Sequence, residues 1–307
     1  VVAKLPGTAL PERQILVSGH YDSRTVGRCD GAGFAPGAND DGSGTAGVLE
    51  LARVLSQYEF EATLIFVAFT SEEQGLFGSR HYAQQARARG DNIIAMVTND
   101  VIGNVIGGSG QVDSTSVRCF SDDPMDSPHR QLARYIKLQG EAYTPDFTVN
   151  LIPSRDRPGR GGDHFAFNEQ GFTAARLTEP EDNLGHQHNP NDLPEFMAFS
   201  YLRTVVQVNA SYLANLGWAP PAPTGFQVEE SSATNYKLSW NPANGSESFN
   251  YLVSLRQANT TAFDSLLNVG AKTEITLSDL LTPVLMSVSA VKGEMNESLF
   301  TMEVMVD

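Results

Sequence analysis

Residues Ala62 to Phe69 read ATLIFVAF, eight positions that are apolar on both faces of an extended chain. Such a strand must be covered from two sides, which is the signature of a central strand between two helical layers. The flanking sequence supplies those layers. Thr45 to Tyr58 sets Val48, Leu51, Ala52 and Leu55 on one helical face, and Leu76 to Arg89 reads as a second helix. Short apolar runs recur at Gln14 to Ser18, Ile93 to Val97, Val117 to Phe120, Thr148 to Pro153 and Phe172 to Leu177. Helical stretches lie between or after them at Pro128 to Glu141, Asp163 to Gln170 and Leu193 to Leu216. Strands alternating with helices predict an α/β fold, with a mostly parallel central sheet covered by helices on both faces.

The texture changes at Gly217-Trp218-Ala219-Pro220-Pro221-Ala222-Pro223, a Pro-rich linker. Beyond it the helical period disappears. Phe226 to Val228, Tyr236 to Trp240, Tyr251 to Leu255, Glu274 to Leu277 and Met286 to Val291 alternate with period two between turn residues. That pattern predicts a small all-β sandwich. The expected division is 1–217 for the α/β domain, 218–223 for the linker and 224–307 for the sandwich.

The 307 residues suit two domains. With 36 acidic against 21 basic residues, the chain carries a formal charge of -15, which argues against nucleic acid or an anionic membrane as partner. No apolar run is long enough to span a bilayer. The chain starts on a strand-like segment at Val1, as a processed protein would. Cys29 and Cys119 either pair or stay free; their spacing does not decide which.

Chemistry gathers where the strands end. Gly19-His20-Tyr21-Asp22-Ser23, Gly37-Ala38-Asn39-Asp40-Asp41-Gly42-Ser43-Gly44, Thr70-Ser71-Glu72-Glu73-Gln74-Gly75, Asn99-Asp100 and His186-Gln187-His188 each follow a strand-like run or introduce a helix. Ser43 can cap the helix that follows it. Taken singly, His20 is an ordinary polar residue at a strand end, Glu72-Glu73 a solvated helix start and Asp100 a turn residue. Jointly they place metal ligands along the edge where α/β sheets bind their ligands. If His20, Asp40, Glu73, Asp100 and His188 converge, Asp40 can give one oxygen to each of two cations and the others divide between them. Nitrogen and oxygen donors without sulfur suit zinc, with cobalt or manganese as substitutes. Two such ions can clamp a water and polarise a carbonyl. One of Glu72 and Glu73 then binds metal while the other faces the water as a base. Asp22 can accept the second imidazole N–H of His20. His81, His129 and His164 read as structural or exposed.

These blocks, with His188-Asn189-Pro190-Asn191-Asp192, resemble the secreted di-zinc aminopeptidases, metallopeptidase family 28, over about residues 14–216. The resemblance implies a zinc exopeptidase-like fold and two zinc ions per chain. It implies His20 and Asp100 on one ion, Glu73 and His188 on the other, and Asp40 bridging, with a cis peptide to Asp41. It makes Glu72 the general base. Arg160 and Asp163, in Gly159-Arg160-Gly161-Gly162-Asp163-His164, resemble a segment near the substrate pocket. His186 competes with His188 as the last ligand; Asp192, four residues on, favours His188. The family normally carries a further N-terminal segment. The C-terminal part resembles a fibronectin type III module with Trp240 as its core tryptophan, although Val284 stands where a tyrosine is usual. A spacer is its first-ranked role.

The expectation is therefore a secreted, monomeric enzyme that releases N-terminal residues from peptide or protein substrates. The alternatives are a carboxypeptidase, for which Arg155, Arg157 and Arg160 offer cations, or a glutaminyl cyclase of the same fold. A non-catalytic receptor-like protein is the third reading.

Overall fold

The computed structural model describes residues 1–122, 124, 127–156, 161–232, 234–243 and 249–307. A seven-stranded sheet is built from β1 (Val2–Leu5), β2 (Leu10–His20), β3 (Ala62–Phe69), β4 (Asn92–Asn99), β5 (Ser116–Phe120), β6 (Thr148–Ile152) and β7 (Ala174–Thr178). Its spatial order is β1-β3-β2-β4-β7-β5-β6. The helices are α1 (Gly42–Leu55), α2 (Phe77–Arg89), α3 (Pro128–Tyr143), α4 (His164–Asn168) and α5 (Phe199–Trp218).

The central strand is covered as its composition demands. Leu64 and Phe66 face a core shared with Val48 and Leu51 of α1, Leu132 of α3 and Val205 of α5. Ile65, Val67 and Phe69 face the opposite way, onto Ala83 of α2 and Phe167 of α4. Each of these buried side chains other than Ala83 contributes about 1.5–3 kcal/mol by leaving water.

Two expectations about helix starts need correcting, and the mostly parallel sheet carries two reversals: four pairings are parallel (β3–β2, β2–β4, β4–β7, β5–β6) and two antiparallel (β1–β3, β7–β5). No helix separates β4 from β5, and without a crossover the chain returns running the other way. The last helix does not begin at Leu193. A single 3₁₀ turn, Pro194–Phe196, comes first, and the Ala198 N–H donates to Gly103 O at 2.8 Å before α5 starts. Helix α1 starts earlier than Thr45, and its cap is Asp41, whose carboxylate accepts from Gly44 N at 3.0 Å. Ser43 lies inside the first turn, where it donates to Asn39 O and accepts from Ile102 N.

The C-terminal stretch forms two sheets around its own core of Tyr236, Leu238, Trp240, Tyr251, Val253, Met286 and Val288. One holds β8 (Thr224–Ser232), β9 (Asn235–Asn241) and β12 (Glu274–Leu277) in the order β12-β9-β8. The other holds β10 (Asn250–Gln257), β11 (Ser265–Gly270), β13 (Val284–Lys292), β14 (Asn296–Glu297) and β15 (Val304–Val306). This unit is docked on α3 through buried polar groups. Gln131 donates to Ser287 Oγ and Thr301 O, and Tyr135 Oη donates to Glu297 O. Glu303 pairs with Arg256 at 2.7 Å and with Arg134 of α3 at 3.2 Å, with all three side chains at most 2% exposed.

Glu297 accepts from Ser289 Oγ at 2.5 Å and from Gln139 Nε2 of α3 at 3.0 Å. Burial pushes its carboxyl up to about 7 from 4.5. A carboxyl with a higher pKa folded than unfolded favours the fold while protonated. That contribution is complete below about 4.5 and is lost as pH rises through about 7. In urea unfolding at roughly pH 4 and pH 8, Glu297→Gln is expected to gain on the parent by on the order of 3 kcal/mol at the higher pH. A difference that ignores pH would contradict this account.

Candidate metal centre

The carboxyl ends of β2, β3 and β4 open onto one rim of the sheet, and the polar blocks meet there. His20 is the last residue of β2 and Asp100 follows β4. Glu72 and Glu73 lie in the turn after β3, entered through Ser71 at φ 57°. Asp40 precedes α1 and is joined to Asp41 by a cis peptide. His188 lies in the loop after β7 at φ 58°. The approach of these elements is close. A Cβ on Gly44 would stand 2.1 Å from Asn99 O, and one on Gly19 2.7 Å from the Gly44 carbonyl carbon. Glycine is what lets the start of α1 press against the ends of β2 and β4.

His20, Asp40 and Asp100 form one triad of candidate donor atoms; Asp40, Glu73 and His188 form another. Asp40 belongs to both through different oxygens. Its Oδ1 is 3.3 Å from His20 Nε2, and its Oδ2 is 2.9 Å from His188 Nε2. His20 Nε2 is 3.8 Å from Asp100 Oδ1, and His188 Nε2 is 3.1 Å from Glu73 Oε1. Glu72 stays outside both triads and lines the adjoining cavity of ≈ 460 Å³. His186 belongs to neither triad; its ring lies against Phe196, tilted by 43° with the centroids 4.1 Å apart.

The donor set suits divalent cations. It is buried except for the half-buried His188 and mixes nitrogen with oxygen, and His20 Nε2 and Glu73 Oε1 meet no hydrogen-bond partner. Charges press on each other accordingly. Burial opposes a charge on His20, but Asp100, Asp22 and Asp40 outweigh it and raise the ring well above its ordinary value. Burial, joined by Asp100, Asp163 and Glu73 against the pull of His20, holds Glu72 well above the usual carboxylate range. Burial likewise lifts Asp163 to about 7 and Glu179 to about 8.

The supporting contacts are fixed in detail. The His20 Nδ1 faces the backbone oxygen of Asp22 at 3.0 Å, while the Asp22 carboxylate is 3.7 Å away, too far to bond. That carboxylate accepts instead from Glu72 N and Glu73 N, both at 3.2 Å, and so holds the turn after β3. Asp41 accepts from His20 N, Gly44 N and Val101 N. Asp192 accepts from Asn39 N at 2.7 Å and Asp40 N at 2.9 Å.

Two arginines that the sequence reading passed over complete the rim. Arg176 Nε is 3.3 Å from Asp100 Oδ2, and Arg24 Nε is 2.6 Å from Glu73 Oε2 with Nη2 2.7 Å from His188 Nδ1. Each terminal carboxylate thus has one oxygen held by a guanidinium and one turned to its triad. Arg176 had a signal, a charge inside the apolar run of β7; Arg24 had none. Gly161 and Gly162 line the cavity, whereas Asp163 is fully buried and adds nothing to its surface. Arg157 and Arg160 lie outside the described residues. Both cysteines are free, Cys29 exposed and Cys119 buried in β5.

Residues 1–213 match the profile of Peptidase family M28. The chain is 34% identical over 305 residues to a probable zinc metalloprotease of Leptosphaeria maculans, an alignment covering 90% of this chain and 71% of that one. The crystal structure of the LapA aminopeptidase of Legionella pneumophila is similar at 25% identity and TM-score 0.54, over 65% of this chain and 50% of the other. A glutaminyl cyclase of Porphyromonas gingivalis shares the fold at 18% identity and TM-score 0.53, over 69% and 75% of the two chains.

Asp41→Ala leaves three buried N–H groups without acceptors. At about 1–3 kcal/mol each the expected cost is about 3–9 kcal/mol, read by chemical denaturation of the metal-free protein. A loss below 1 kcal/mol would mean these bonds carry little of the rim.

Proposed function

The chain belongs to Peptidase family M28, and on that premise we propose that it is a zinc-dependent aminopeptidase, hydrolysing the first peptide bond of chains with a free N-terminus. The observation that carries this reading is the pair of triads sharing Asp40, with the half-buried carboxyl of Glu72 beside them, outside both and lining the cavity. His20 and Asp100 would hold one zinc ion, Glu73 and His188 the other, and Asp40 both. Bound there, the ions would polarise the scissile carbonyl, acidify the attacking water and offset the charge of the tetrahedral oxyanion.

Glu72 would accept the proton of the attacking water and return it to the departing amine. A base of this kind gains from a raised proton affinity, and burial holds Glu72 above the usual carboxylate range. Asp22 would keep Glu72 and Glu73 in register through their two N–H groups. Asp192 would do the same for Asp40. Two triads rather than one weigh against a cyclase, which typically keeps a single metal.

The same reading makes the protein a secreted monomer and its C-terminal sandwich a fibronectin type III module. Two facing sheets around Trp240 support the latter.

Amino-acid p-nitroanilides are expected to be hydrolysed, with activity lost on chelation and restored by zinc. Glu72→Gln should lower kcat by about 10²–10⁴-fold with KM little changed and zinc still bound. Activity that survives both treatments would reject the proposal. Cleavage of N-acetylated peptides alone would favour a carboxypeptidase.

A further inference from the structure

The cavity beside the triads has two electrostatic zones. Its floor is acidic, made by Asp40, Glu72, Glu73 and Asp100. Every other charged residue lining it, apart from His188, is an arginine: Arg24, Arg28 and Arg80. This runs against a composition in which acids outnumber bases 36 to 21. Arg24 is committed to Glu73 and His188. The other two are not so occupied. Arg28 is exposed and meets no hydrogen-bond or ion-pair partner among the described residues. Arg80 has one partner, Glu169 at 3.1 Å, in a pair whose side chains are 45% and 40% exposed. Arg155 approaches the same Glu169 oxygen at 3.7 Å while stacking on Phe165, another lining residue, at 4.3 Å.

We propose that Arg28 and Arg80 form a rim subsite for a carboxylate carried by the residue just beyond the scissile bond. The inference rests on the aminopeptidase reading of the site. In that reading the free amine of the first residue lies among the floor carboxylates, which attract it and repel an acidic first side chain. The following residue extends outward, where the guanidinium groups are. A planar guanidinium can take a carboxylate through two parallel N–H bonds, and Phe165 and Leu184 offer apolar contact to the intervening methylenes. The anion can be an acidic side chain or the terminal carboxylate of a dipeptide, since both present the same group. Exposed pairs of this kind are screened by salt, so the preference is modest and depends on ionic strength.

Four substrates separate the sources: Leu-Glu, Leu-Glu-amide, Leu-Gln and Leu-Gln-amide. With zinc-loaded protein at low salt, kcat/KM is expected to be about fivefold higher for each carboxylate-bearing peptide than for Leu-Gln-amide. Leu-Glu-amide reports the side chain and Leu-Gln the terminus. The ratio should fall towards one in 0.5 M NaCl and in the Arg28→Gln/Arg80→Gln protein. Equal rates on all four overturn the subsite, as does a preference that survives the double substitution. So does a preference for an acidic first residue. Calorimetric binding of the same peptides to zinc-loaded Glu72→Gln protein keeps the test independent of turnover. If binding discriminates while no peptide is cleaved, the catalytic reading fails and the subsite stands.

Discussion

Everything at the rim answers one electrostatic demand, the burial of negative charge. Asp40, Asp41, Glu73, Asp100, Asp163, Glu179 and Asp192 are all withdrawn from water there. An isolated buried carboxylate is costly, so each needs a partner or a proton. Asp41 and Asp192 find theirs in backbone N–H groups. Asp100 and Glu73 find theirs in Arg176 and Arg24, and Asp40 lies between two imidazoles. Asp163 and Glu179 are pushed up to about 7 and 8. The compensation stops short at the shared edge of the two triads, where His20 Nε2 and Glu73 Oε1 lack bonded partners. Under the proposed function, two divalent cations would complete that charge pattern.

Much of this was legible in residue order, for a physical reason. Buried strands must be apolar on both faces, so ATLIFVAF announced a two-layer covering, and polar residues directly after such strands had only one rim to occupy. What escaped was set by geometry rather than by type. The cap of α1 falls on Asp41 because its carboxylate reaches three separate backbone donors, which sequence spacing cannot reveal. The reversed direction of β5 depends on the lack of a helix between two strands. Arg24 sits in an irregular loop, where no period marks a side chain as inward. The order His186-Gln187-His188 left two candidates; His188 joins a triad, whereas the His186 ring lies against Phe196.

The C-terminal unit is less detached than a Pro-rich linker suggests. Helix α3 contributes Gln131, Arg134, Tyr135 and Gln139 to it, and on its other side packs Leu132 and Ile136 into the main core. One helix therefore serves two cores. The buried Arg134–Glu303–Arg256 cluster is satisfied only when both are present, and removing one partner of such a cluster typically costs about 3–5 kcal/mol. The sandwich is positioned to brace α3, and through it the β5–β6 edge of the sheet.

The two cysteines have opposite surroundings, and that has a practical use. Cys119 is fully buried, and burial pushes its thiol up to about 12, which keeps it inert towards electrophiles. Cys29 is exposed and follows Arg28, which lines the cavity mouth. A maleimide dye would therefore attach at a single position beside the entrance. The unmodified chain already carries a handle for watching that loop by fluorescence as metals or peptides arrive.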